Sequence, residues 1–197
     1  MVASIMKNEI VIYPTDTVWG IGASIYSKEA YDRICKVKNT DPTKPVSILF
    51  PNMEIFNEYV NLENKYSVEM LEKVFKLEAT IGLAITSFKK EIPKHIYGES
   101  SFICIRVLDC DEINNVYEYL KAPFITTSLN ISGNPPILSE KEAKDFHNIH
   151  IQDAEFFTQK SIKMSGNSST IINLSGEDIV IIREGNNVEK IRTVLEL

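Results

Sequence analysis

The sequence predicts an α/β protein built on a sheet of mixed strand direction. Three observations lead there. Short apolar runs with strand character, such as Thr80–Thr86 and Ser101–Val107, alternate with stretches of helical periodicity. Some neighbouring strands are separated by a helix and others are not, which calls for parallel and antiparallel pairs together. The 197 residues, 44% of them hydrophobic, suit one domain over 1–197 with its own core.

The elements follow in order. Glu9–Tyr13 is a strand that ends at Pro14, and Trp19, Gly20 and Gly22 follow as floor residues behind the turn. Ser27 reads as the N-cap of a helix to about Lys38, with Ala30/Ile34 and Tyr31/Cys35 one helical turn apart. Pro45–Phe50 is a short strand. Met53–Val60 and Ser67–Lys76 are helical, the second with Val68, Leu71, Val74 and Phe75 on one face. Thr80–Thr86 and Ser101–Val107 are strands. Asp111 is expected to cap a helix carrying Ile113, Val116, Tyr117 and Leu120. Phe124–Thr127 is a short strand, and Ser139 with Glu142 forms a capping box for a helix to about Phe146. Strands near Glu155–Thr158, Thr170–Leu174 and Asp178–Arg183 precede a last helix from about Val188.

Composition excludes several classes. No apolar run approaches the roughly 20 residues of a membrane helix. The N-terminal MVASIMKNEIVIYP turns polar too soon for a secretory signal, so a cytoplasmic location is expected. A net charge of −6 argues against a strong sequence-independent hold on nucleic acid, but leaves room for a local basic cleft. Cys35, Cys104 and Cys110 are odd in number and form no CxxC; with His95, His147 and His150 they suggest no metal site, and no metal ligand is assigned. There is no GxGxxG and no GxxxxGK[ST].

Four polar clusters sit at the ends of strand-like segments, where loops of an α/β sheet converge. Pro14-Thr15-Asp16-Thr17 either closes a turn through Asp16 or grips a small polar ligand. Lys38 to Pro45 is a loop with Lys38 and Lys44, either solvated or holding phosphate by point charges. In Thr126 to Gly133, Ser128 and Asn130 are two apart and would point the same way if extended. Gly166 to Thr170 is a Gly/Ser turn able to offer N–H groups to anions, and Arg183 and Arg106 lie at strand ends as forks for phosphate or carboxylate, or as surface ion pairs. Many hydroxyls with a few cations suit the alignment of two substrates, one phosphorylated.

In chain order YPTDTVWGIGA, a helix ending in VKN, KPVSIL, ICIRV, TTSLNISGNPP, GNSSTIINL and IIREG resemble the YrdC family, the L-threonylcarbamoyladenylate synthases. The pieces span about residues 10 to 186. The resemblance implies a twisted mixed sheet with flanking helices around a large concave cleft. It implies synthesis of L-threonylcarbamoyl-AMP from L-threonine, bicarbonate and ATP with release of pyrophosphate, and magnesium with the triphosphate. The product would serve threonylcarbamoyladenosine modification of tRNA through a separate transferase, with tRNA contact a further expectation. By the same resemblance Lys38 is catalytic and, with Lys44, Ser128, Asn130 and Arg183, binds ATP; Thr17, Arg106, Thr126 and Ser169 bind threonine.

The sequence departs from the family pattern in three places. Lys38-Asn39-Thr40 lacks the Arg of the usual K-x-R, Lys44-Pro45-Val46 stands for Asn-Pro-Leu, and Leu77 to Gly82 replaces W-P-G-P-x-T. The alternative these leave is a relative with the same fold and altered or lost activity, acting as a nucleotide- or RNA-binding module.

Overall fold

The protein was analysed as a computed structural model that describes residues 9–62 and 66–197; residues 1–8, which begin the segment read above as too polar for a signal, lie outside them. The chain opens with β1 (Ile10–Pro14), β2 (Trp19–Ala23), α1 (Lys28–Lys38), β3 (Ser47–Phe50), α2 (Met53–Tyr59) and α3 (Val68–Phe75). It continues through β4 (Ala79–Ala84), α4 (Lys94–Tyr97), β5 (Phe102–Val107), α5 (Asp111–Leu120) and β6 (Phe124–Ser128). The C-terminal part holds α6 (Glu140–His150), β7 (Glu155–Phe156), β8 (Thr170–Asn173), β9 (Val180–Arg183) and α7 (Val188–Leu195). Among the described residues the strands form one twisted nine-stranded sheet in the order β7-β1-β2-β6-β3-β5-β4-β8-β9. β1/β7, β3/β5 and β4/β8 are parallel; the other neighbours are antiparallel. The mixed α/β expectation is met.

Side-chain alternation decides what each face meets. Ile81, Leu83, Ile103, Ile105, Val107, Ile48 and Phe50 point to the side where Phe56, Leu71, Val74 and Ile191 of α2, α3 and α7 close the main core. Val11, Tyr13, Leu49 and Phe124 point the other way, onto Ile113 and Val116 of α5. Ile10, Ile12, Trp19 and Ile21 meet Ala30 and Ile34 of α1 and Ala143 and Phe146 of α6. The remaining positions of β3, β4 and β5 that share a face with Leu49 are Ser47, Thr80, Gly82, Ala84, Cys104 and Arg106, all polar or small, and Phe102, whose ring lies over Gly82. No helix needs to cover that part of the sheet, and it becomes the floor of a cleft.

Local signals explain the ends of the helices. Ser27 Oγ accepts from Ala30 N at 3.3 Å and starts α1. Asn39, in the left-handed conformation (φ 51°), stops it. Ser139 and Glu142 form the expected capping box, and α6 runs on to His150, one turn past Phe146. At α5 the cap position is Cys110; Asp111 is the first helical residue, where its charge favours the positive end of the helix dipole without a capping bond. Thr80–Thr86 becomes β4 plus a single 3-10 turn at Ile85–Ser87, and the run near Glu155–Thr158 pairs only over Glu155–Phe156.

One strand was not expected. WGIGA carries two glycines, poor strand formers, yet it pairs with IVIYP in register from Ile10↔Ala23 to Pro14↔Trp19. The reason is Tyr13. A Cβ on Gly20 would stand 2.9 Å from the Tyr13 ring, and one on Gly22 would stand 1.9 Å from the Ile125 carbonyl oxygen and 3.2 Å from the Tyr13 hydroxyl. The glycines make room for an aromatic ring lying across the strand and for close approach of β6. Gly22→Ala should therefore lower the unfolding free energy by about 2–4 kcal/mol in denaturant titrations, because backbone must shift. A loss below about 0.5 kcal/mol would contradict this packing.

Candidate active-site cleft

The cleft follows from register. Thr80 pairs with Ile171, and Ile171 pairs with Arg183. Arg106 lies one step beyond the Ile81–Ile105 pair, beside Thr80. Arg106, Thr80, Ile171 and Arg183 thus form one row across four strands, facing the same way. Ser47 pairs with Thr126, and Gly20 with Ser128, on the adjoining strands. Together with Thr15, Thr17, Ser168 and Ser169 these residues line a cavity of about 270 Å³.

One corner is built by the β1–β2 turn. Thr15 Oγ1 accepts from Thr17 N and Val18 N, both at 3.2 Å, and donates to the Val18 carbonyl at 2.7 Å. The local turn bonds therefore belong to Thr15, leaving Asp16 free to pair with Arg106 Nη2. Arg106 Nη1 donates to Thr17 Oγ1 at 3.0 Å. The Arg106 side chain is 7% exposed and that of Asp16 20%, so this is a nearly buried ion pair. Removing either member of such a pair costs roughly 3–5 kcal/mol.

The opposite wall is built on Ser169. Its hydroxyl lies 2.8 Å from Thr80 Oγ1, and it receives Arg183 Nη2 at 3.2 Å while its carbonyl receives Arg183 Nε at 3.0 Å. Burial draws the Arg183 pKa below its ordinary value. The segment before Ser169 is tied back to the first corner: Ser165 N donates to Asp16 O at 2.8 Å and Gly166 N to Thr17 O at 2.9 Å. The Gly166 N–H is thus already used within the fold and not held for an anion.

Lys38 sits behind the third wall. It is 6% exposed, and its Nζ donates to Asn130 O at 3.0 Å, to Asn130 Oδ1 at 2.9 Å and to the Ser128 carbonyl. Ser128 Oγ donates to Asn130 Oδ1 at 2.7 Å, so the two residues expected to point the same way grip each other and Lys38. Burial pulls the Lys38 pKa from 10.5 down to about 8.

Of the residues singled out in the sequence, Thr17, Arg106, Thr126, Ser128, Ser169 and Arg183 line one cavity. Lys38 and Asn130 stand behind it, joined to it through Ser128. Lys44 is exposed and does not line the cavity, although Pro45 and Val46 do. Thr40, in place of the family's Arg, donates its backbone N–H to the Cys35 carbonyl at 3.0 Å and lines an outer groove with Lys28, Lys36 and His95. The turn lacking Pro-Gly is made by Glu78 at φ 59°, whose carboxylate also accepts from Ser165 Oγ at 2.8 Å. Sequence reading passed over Thr80 and Tyr13, and named Thr15 within the Pro14–Thr17 cluster without giving it a part of its own. Thr80 alone carried a signal, a hydroxyl at an alternate position of an otherwise apolar strand.

The Lys38 shift has a thermodynamic sign. Between about pH 8 and 10.5 the unfolded chain binds the Lys38 proton and the folded chain does not, so this residue's contribution to stability rises with pH across that window. The stability of the protein relative to Lys38→Met should therefore increase from pH 8 to 10.5, and ¹³Cε-lysine NMR should give Lys38 a midpoint near 8. A flat difference with a midpoint near 10.5 would contradict its burial.

Comparison with known proteins places this geometry. The Sua5/YciO/YrdC family model, described as telomere recombination, matches residues 3–185. A threonylcarbamoyl-AMP synthase of Wigglesworthia glossinidia brevipalpis is 28% identical over 144 residues, covering 73% of this chain and 74% of that protein. Among solved structures, P. abyssi Sua5 complexed with L-threonine superposes with a TM-score of 0.77 at 24% identity, over 97% of this chain. That match covers 55% of Sua5, so this chain spans little more than half of its length. E. coli YciO superposes with a TM-score of 0.72 at 21% identity, over 91% of this chain and 85% of its own. These structures share the fold. The chain belongs to the Sua5/YciO/YrdC family.

Proposed function

We propose that the chain synthesises L-threonylcarbamoyl-AMP from L-threonine, bicarbonate and ATP and releases pyrophosphate. One observation carries this reading. In a family whose relatives include named threonylcarbamoyl-AMP synthases, the cleft brings Thr17, Arg106, Thr126, Ser169 and Arg183 around one small cavity. At about 270 Å³ it lies near the lower end of small-molecule sites, a size suited to an amino acid and the reacting end of a nucleotide.

The chemistry asks for alignment more than for acid–base groups. The threonine amine forms a carbamate, either with bicarbonate and loss of water or with carbon dioxide and loss of a proton to solvent. A carbamate oxygen then attacks the α-phosphorus of ATP, and the bond to pyrophosphate breaks. Thr17, Arg106, Thr126 and Ser169 hold threonine. Ser128 and Arg183 face the nucleotide, Asn130 acting on it through Ser128, with Arg183 supplying a fork for developing phosphate charge. Lys38 serves by fixing the Ser128–Asn130 turn, and Lys44 supplies an exposed positive charge on the loop beside the cleft mouth. No group of three or more His, Cys, Asp or Glu able to hold a metal occurs among the described residues. Magnesium, by this reading, would come with the triphosphate and offset its charge.

The product, by this reading, passes to a separate transferase that modifies tRNA in the cytoplasm. Direct tRNA contact belongs to the same reading. No helix of the described residues is long and apolar enough to cross a membrane.

Purified protein given ATP, magnesium, labelled bicarbonate and L-threonine should release pyrophosphate only with threonine present. Threonine-independent release or none at all, with nucleotide binding retained, would favour the nucleotide- or RNA-binding relative. Thr17→Val should raise the KM for threonine roughly tenfold with little change in that for ATP; equal changes in both would assign Thr17 to structure alone.

A further inference from the structure

The hydroxyls of the cleft are held by different partners. A threonine hydroxyl has one proton and two lone pairs. Thr15 Oγ1 gives its proton to the Val18 carbonyl at 2.7 Å. Its two lone pairs take Thr17 N and Val18 N, both at 3.2 Å, which leaves no place for a full hydrogen bond with Thr17 Oγ1, 2.9 Å away. Arg106 Nη1 donates to that Thr17 oxygen. Thr17 therefore keeps its proton and one lone pair for a ligand.

Thr126 is held from behind by a different donor. The Tyr13 hydroxyl donates to Thr126 Oγ1 at 2.8 Å. Thr126 keeps its own proton, and it lines the same cavity as Thr17. Tyr13 is fully buried, its ring packed edge-on against Phe124 at 5.3 Å and passing over Gly20 and Gly22. Its other acceptor, the Ile125 carbonyl, lies at the 3.5 Å limit. Burial drives the phenol well above its ordinary pKa against the opposing pull of Thr126 and Arg106, so it remains a donor at neutral pH.

We propose that Tyr13 is a positioning residue: by donating to Thr126 Oγ1 it fixes that hydroxyl at the cleft with its own proton turned to the ligand. The ligand is an amino acid whose carboxylate or carbamate oxygen accepts from Thr126. This rests on the amino-acid reading of the cleft given above. It adds the direction of the Tyr13–Thr126 hydrogen bond and a residue that touches no substrate.

The test is a double-mutant cycle on Tyr13→Phe and Thr126→Val, read by threonine and ATP kinetics. Tyr13→Phe removes one hydroxyl and keeps the ring packing; circular dichroism and thermal unfolding check the fold. The KM for threonine should rise roughly tenfold in Tyr13→Phe, with kcat within about twofold and the KM for ATP unchanged. In the Thr126→Val background, Tyr13→Phe should add nothing. An unchanged threonine KM in Tyr13→Phe, or an equal rise in both backgrounds, overturns the proposal. If the unmutated protein releases no pyrophosphate, the four proteins are titrated with L-threonine by calorimetry. The same non-additive pattern in affinity then upholds the hydrogen-bond assignment while the synthase reading fails, and absence of threonine binding overturns both.

Discussion

A guanidinium buried in the middle of the sheet organises the cleft. Arg106 occupies a strand position whose neighbours along β5 are Ile105 and Val107, both buried in the main core. An unpaired charge there would be expensive to hold. Asp16 neutralises it and Thr17 receives its second nitrogen, so the β1–β2 turn is tied to a strand 89 residues away in sequence. The carbonyls of Asp16 and Thr17 in turn hold Ser165 and Gly166, which lead to Ser168 and Ser169. Two walls of the cavity thus depend on one charge and its partner.

The other constraint is steric. Tyr13 crosses the face of β2, which only glycine at 20 and 22 permits. With β2 so thin, β6 approaches closely and delivers Thr126 and Ser128 to the cavity. Lys38 then secures the end of β6 through Ser128 and Asn130. Its ammonium has oxygen acceptors on several sides, which offsets part of the cost of burying it. The third wall is therefore rigid for reasons separate from the Arg106 corner.

The fold was largely legible because its elements are locally consistent. The α1 cap at Ser27 and the capping box at Ser139–Glu142 lie in short stretches of chain, and the alternation in β4 and β5 needs only a period of two. The strand WGIGA was not legible, since its glycines are explained by a ring on the neighbouring strand. At the site, hydroxyls and cations at strand ends pointed to Thr17, Arg106, Thr126, Ser169 and Arg183, all of which line the cavity. What could not be read was pairing: that Asp16 turns to Arg106 and not to its own backbone, and that Lys38 faces the Ser128–Asn130 turn from behind. Both depend on long-range register, which no local pattern encodes. Thr40 itself does not line the cavity: its N–H closes the end of α1 and it lines an outer groove.

Calorimetric titration of L-threonine into the protein and into Asp16→Asn tests most directly whether the Arg106–Asp16 pair shapes the amino-acid corner. Asparagine keeps an oxygen for Arg106 but removes the charge that holds it. The variant is expected to fold and to bind threonine about ten- to a hundredfold more weakly, the scale of a hydrogen bond to a charged group. Wild-type affinity in that variant would contradict this role of the pair.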